Sequence, residues 1–134
     1  MRREEVASGY CGGEGDRTNL TWVFDSNGVL TITGEGEMKD WLNPNTAPWY
    51  EYREMILSLT VEPGVTSIGN QSFLFCENMT SVTLPDTITK LGKWAFEYTG
   101  ITSIDIPASV TSIGNGAFAH CNALQRLRGI LIVP

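Results

Sequence analysis

The chain has 134 residues, enough for one domain with its own core, and 42% of them are hydrophobic. Its net charge is −6, from 15 acidic and 9 basic side chains, a balance that excludes a surface able to condense on nucleic-acid phosphates. The excess is uneven: residues 1–62 carry 11 acids and 5 bases, whereas residues 63–134 carry 4 of each.

In chain order, residues 1–8 are expected to be disordered. Residues 9–55 are expected to form an N-terminal cap. Within it, Leu20–Asp25 and Val29–Thr33 read as the strands of a hairpin, 20–33, because Asn27-Gly28 is a strong tight-turn signal. Leu20, Trp22 and Phe24 share one face of the hairpin, as do Leu30 and Ile32. Residues 34–48 read as a loop. Residues 48–55 read as a short helix with Pro48 in its first turn, handing over to a strand near Ile56.

From Leu59 the chain repeats itself. LTVEPGVTSIGNQSFLFCENMT, SVTLPDTITKLGKWAFEYTGIT and SIDIPASVTSIGNGAFAHCNAL share one template. The last two align at a period of 22 residues and the first joins at 23. Such a period marks a solenoid whose units bury their apolar faces against neighbours. Leu59 and Val61, Val82 and Leu84, and Ile104 and Ile106 are each two apart, as the inward side chains of a strand must be. Pro85 and Pro107 end their strands. Gly69, Gly92 and Gly114 are expected in turns of positive φ. Phe73, Phe96 and Phe118 are expected to stack as a spine. Residues 56–134 thus read as three full coils and a partial fourth, which Leu124–Arg128 begins on register and Ile130–Pro134 would restart in a shifted one. The end coil, lacking a recognisable cap, is a candidate for self-association.

The stretches MTSVTLP–ITKLGKWAF and ITSIDIP–VTSIGNGAFAHC resemble the BspA-type leucine-rich repeats, and LTWVFDSNGVLTITGEGEM with APWYEYREMI is similar to the N-terminal cap often found with them. The fold expected is mainly β: a right-handed leucine-rich-repeat solenoid of short parallel strands, with a β-hairpin plus short helix as cap. The resemblance implies a bacterial cell-surface or secreted protein, some members being adhesins for host matrix proteins, and binding through the outward strand face. No apolar h-region follows the charged start, so no signal peptide is visible, and no run is long enough for membrane insertion.

Residues that could carry chemistry are few. His120 is the sole histidine and has no partnered nucleophile, so no catalytic residue is assigned. Metal-ligand spacings are absent, and Asp25-Ser26-Asn27-Gly28 lacks the later glutamate of a calcium loop. The glycines of residues 12–15 and 34–37 are interleaved with glutamates that would repel phosphate. Leu84-Pro85-Asp86-Thr87 lacks the glycine of a sorting signal. No cofactor is expected. Cys76 and Cys121 occupy one repeat position two coils apart, about 10 Å at strand spacing, too far for a disulfide, and both are expected as buried thiols. Cys11 has no obvious partner; three cysteines leave room for one disulfide between it and another cysteine but for no redox framework. The candidate partner-binding residues are Ser81, Thr83, Ser103, Asp105, Arg126 and Arg128 on the strand face, and Trp94, which replaces a small residue. Trp41, Trp49, Tyr50 and Tyr52 read as cap core. The expected function is a non-enzymatic module binding a protein or glycan, with an inert spacer as the alternative.

Overall fold

The computed structural model describes residues 4–129. Strands β1 (Glu5–Tyr10), β2 (Leu20–Asp25) and β3 (Val29–Gly34) form an antiparallel meander. β3 then pairs in parallel with β4 (Ser58–Val61), and β4 with β6 (Ser81–Thr83). Further along the axis, β8 (Ser103–Asp105) pairs in parallel with β10 (Arg126–Arg128). A second parallel ladder joins β5 (Ser67–Ile68), β7 (Lys90–Leu91) and β9 (Ser112–Ile113). Each coil therefore gives one strand to each side of the solenoid, β8 and β10 forming a two-stranded sheet separate from that of β3, β4 and β6. Ile68 faces Leu91 and Leu91 faces Ile113, the register that the two sequence periods require.

The core is a column of rings. Phe73, Phe96 and Phe118 stack with centroids 5.5 Å apart at both steps and planes within 15°. Trp49 extends the column below Phe73, at 5.2 Å and 11°, and its indole N–H donates to the Ser72 carbonyl at 2.7 Å. Trp22 and Trp41 meet Trp49 edge-on, at 5.9 and 6.0 Å. Offset-stacked and edge-to-face contacts are the two favourable aromatic geometries. Trp41 and Trp49 are buried, as a cap core requires, whereas Tyr50 and Tyr52 are only half-buried.

The cap is built as an incomplete coil. β3 supplies its strand for the first ladder, Gly36 bridges Val65 where the second ladder begins, and Trp49 stands in for the spine phenylalanine. The loop of residues 34–48 is thus coil backbone in all but name. It carries one 3-10 turn, Pro44–Thr46.

Three local expectations are corrected. Residues 5–8, read as disordered, lie in β1, which pairs with β2 from Glu5 to Tyr10 through a bulge. This edge strand turns only Ala7 and Gly9 inward, so it carries little apolar signal, and its pairing is dictated by β2. The helix expected over 48–55 is a single 3-10 turn, Tyr50–Tyr52, because Trp49 must reach the spine and Ile56 must start a coil. Gly69, Gly92 and Gly114 do not have positive φ. They are glycines because coils approach closely there: a Cβ would lie 1.8 Å from the Lys39 carbonyl oxygen, 2.5 Å from Asn70 N and 2.5 Å from Lys93 N, respectively. Residues 130–134 lie outside the described residues.

Candidate functional site

The strand face assembles six of the seven candidate residues. Ser81 and Thr83 stand on β6, Ser103 and Asp105 on β8, Arg126 and Arg128 on β10, and all six are exposed. Register orders them into two columns. Ser58 faces Ser81 and Ser103 faces Arg126; Thr31, Thr60 and Thr83 form one row, and Asp105 faces Arg128. Within each sheet strands lie about 4.8 Å apart and like-facing residues about 6.7 Å apart along a strand, so hydroxyls stand in rows on β4 and β6, and the separate pair β8 and β10 adds Asp105 and two guanidinium groups. Between the last two strands, Thr102, Ser103, Gln125 and Arg126 line a shallow polar hollow of about 320 Å³. Such a surface can hydrogen-bond and pair with carboxylates.

Trp94, the seventh candidate, lies on the turn after β7 and so on a different element. It is 42% exposed. Its φ of 55° is left-handed, as are those of Gln71 and Gly116 at the same repeat position. A Cβ on Gly116 would come within 2.4 Å of Trp94 Cδ1 and 2.6 Å of Nε1, so the indole edge overhangs the next coil.

Four residues further on, sequence reasoning missed a second aromatic column. Phe75 stacks on Tyr98 at 5.4 Å and 25°, and Tyr98 on His120 at 4.5 Å and 8°. All three have φ between 57° and 70°. Left-handed backbone costs a non-glycine residue about 1–2 kcal/mol, which the ring contacts offset by about 0.5–1.5 kcal/mol per pair. His120, expected as a plain turn residue, is therefore the third ring of an external ladder. The signal was present at the 22–23-residue spacing, but Phe, Tyr and His do not look alike in an alignment.

The turn backbone explains why two columns form. Gln71, Phe73 and Phe75 donate to the carbonyls of Lys93, Ala95 and Glu97; Trp94, Phe96 and Tyr98 donate to those of Asn115, Ala117 and Ala119. Alternate N–H groups thus tie each turn to the next. Within that tie Phe73 and Phe96 are buried, whereas Phe75, Tyr98 and Trp94 stand out.

The three cysteines are free thiols. Cys11 and Cys76 are buried, and desolvation pushes both pKa values up to about 12. Cys121, expected to be buried, is half-exposed because it belongs to the outermost full coil; its thiol donates to the Phe96 carbonyl at 2.9 Å. Among the described residues, no three His, Cys, Asp or Glu side chains are grouped to hold a metal ion.

Parallel coils, a stacked phenylalanine column and an open strand face define a leucine-rich-repeat solenoid. The chain belongs to the BspA-type leucine-rich repeat family, whose model matches in six copies over residues 49–128. That match starts at Trp49, the residue that continues the spine into the cap. Among solved structures, the chain is similar to a leucine-rich repeat protein of Eubacterium ventriosum, at 27% identity and a TM-score of 0.62, over 90% of this chain and 44% of that one. It is also similar in fold to a leucine-rich cell surface protein of Faecalibacterium prausnitzii, at 17% identity and a TM-score of 0.50, over 87% of this chain and 54% of that one. The chain spans about half the length of these two structures. A comparison with curated proteins finds no match.

Proposed function

We propose that this domain is a non-enzymatic binding module of a bacterial cell-surface or secreted protein, engaging a protein or glycan across the strand face. The observation that carries the reading is that Ser81, Thr83, Ser103, Asp105, Arg126 and Arg128 lie exposed on three strands of parallel coils. A fold that spends its apolar residues on the inner column and keeps a regular polar grid outside is suited to recognition by surface rather than by pocket. Membership of the BspA-type family and the likeness to the Faecalibacterium cell surface protein support the location.

The test is binding of the purified domain to immobilised matrix proteins and glycans at two salt concentrations. A Ser81→Arg/Ser103→Arg variant, which fills the face without entering the core, runs beside it. Saturable binding that the variant loses is the expected result. A well-folded domain that binds nothing on either array would refute the reading in favour of an inert spacer.

A further inference from the structure

Two asparagine–glycine pairs stand in turns of this chain, Asn27-Gly28 and Asn115-Gly116, and the fold treats them in opposite ways. An asparagine side chain is open to attack by the amide nitrogen that follows it, most readily before glycine, where no Cβ stands in the way. The attack is intramolecular. Its rate therefore depends on whether that nitrogen is free and whether the side chain can swing onto it.

At Asn27-Gly28 the nitrogen is taken and the turn is braced. The Gly28 N–H donates to the Asp25 carbonyl at 3.1 Å. The N–H groups of Asn27 and Val29 both donate to Asp25 Oδ1, at 2.8 and 3.1 Å. Asn115-Gly116 occupies a repeat position whose two earlier copies are also tied. In the first coil Gln71 donates its N–H to the Lys93 carbonyl at 2.9 Å, and the Asn70 side-chain oxygen accepts the Lys93 N–H at 2.8 Å. In the second, Trp94 donates its N–H to the Asn115 carbonyl at 3.0 Å. In the third, neither the Gly116 N–H nor the Asn115 side chain has a hydrogen-bond partner among the described residues, and Asn115 is exposed.

We propose that Asn115 is a self-modification site, converted to isoaspartate in the folded chain while Asn27 persists. The Gly116 nitrogen gives its proton to solvent base and bonds to Asn115 Cγ. The Cγ–Nδ2 bond breaks, and the side-chain nitrogen takes a proton from water and leaves as ammonia. Water then opens the succinimide ring. Opening at the former side-chain carbonyl gives aspartate, and opening at the backbone carbonyl gives isoaspartate. One water is consumed, one ammonia is released, and nothing is oxidised or reduced. Either product adds a carboxylate to the turn. In isoaspartate the chain also runs through Cβ and Cγ, one atom longer than before. The residues that follow then lose register with the coil below, where Phe96 and Tyr98 donate to the Ala117 and Ala119 carbonyls at 2.8 and 3.0 Å. The modification thus loosens one coil and leaves those beneath it intact.

The whole chain is aged in mildly alkaline buffer, folded and in urea, and peptide mapping that separates aspartate from isoaspartate follows both sites. In the folded chain Asn115 should convert on the order of tenfold faster than Asn27, where a hydrogen bond has to break first. In urea the two should convert alike. Hydrogen exchange on the aged chain should show the Phe96 and Tyr98 amides opened and the Gln71 and Phe73 amides still protected. Asn115→Gln, whose longer side chain closes the ring poorly, should keep all four protected. Equal rates at the two sites in the folded chain would overturn the proposal. So would a preference for Asn115 that persists undiminished in urea, since sequence rather than fold would be its cause. Unchanged exchange at Phe96 and Tyr98 in the isoaspartate-bearing chain would refute the loosening of the coil.

Discussion

Removing one ring from the spine tests the packing account most directly. Phe96 is fully buried and stacked on both sides, by Phe73 and Phe118 at 5.5 Å each. Truncating such a phenylalanine to alanine costs about 3–5 kcal/mol, from lost transfer energy and the cavity left behind. Phe118 is half-buried, with Phe96 as its one stacked neighbour among the described residues, so Phe118→Ala should cost about half as much. Against a total stability of about 5–15 kcal/mol, Phe96→Ala removes a large share. For a domain of this size it should lower Tm by roughly 10–20 °C. Urea titration followed by the fluorescence of the buried tryptophans gives both free energies, and unchanged m-values would show that the same surface is being exposed. Equal costs at the two positions, or a cost at Phe96 below about 2 kcal/mol, would refute the argument that stacking on both faces makes the inner coil the stability centre.

Three other outcomes follow from the same geometry. Gly92→Ala should cost about 3 kcal/mol or more, because its Cβ would meet Asn70 N at 2.5 Å and backbone cannot yield, as a urea midpoint would show. Trp94→Gly should stay within about 1 kcal/mol of the parent, since glycine relieves left-handed strain while loosening the unfolded chain; Gly116→Ala should then be better tolerated in the Trp94→Gly background, where the overhanging indole is gone. The domain should also weaken in alkali. Cys11 and Cys76 titrate near 9 unfolded and near 12 folded, so their contribution is complete below pH 9 and declines as pH rises toward 12. Each thiol should lose about 1.4 kcal/mol per pH unit in that window. Urea midpoints at pH 8, 9.5 and 10.5 should fall less steeply for Cys11→Ala/Cys76→Ala than for the parent, and identical slopes would show that the two thiols are not held neutral.

What could be read from the sequence follows a physical division. The spine, the paired inward aliphatics and the hairpin at 20–33 were legible because burial forces like residues to recur at fixed spacing or because Asn27-Gly28 selects one turn. β1 was not, since Glu5–Tyr10 is ordered by pairing with β2 rather than by its own apolar content. The glycines of the three coils were recognised as invariant across repeats but given the wrong reason: position 69 and its equivalents serve close approach, and the left-handed positions lie two and six residues later. The strand face was placed correctly as exposed because alternation fixes it. The outer ladder escaped because three different ring-bearing residues satisfy one position, so chemistry repeats there while letters do not.

The meander at the start of the chain gives the solenoid an origin. β3 runs parallel to every strand that follows it in the first ladder, but β2 runs against it and β1 against β2. A coil can therefore be stacked only on the far side of β3; on the near side the reversed strand offers the wrong direction and register. Gene duplication that copies one 22- or 23-residue unit would lengthen the molecule in steps of one strand spacing, about 4.8 Å, without disturbing the cap. Each such step would add one place to the inner spine and one to the outer ladder. The inner place has to be filled by phenylalanine or something of its size, whereas the outer one is free to vary, so copies of this unit could diverge in what they display outward while remaining interchangeable in how they fold.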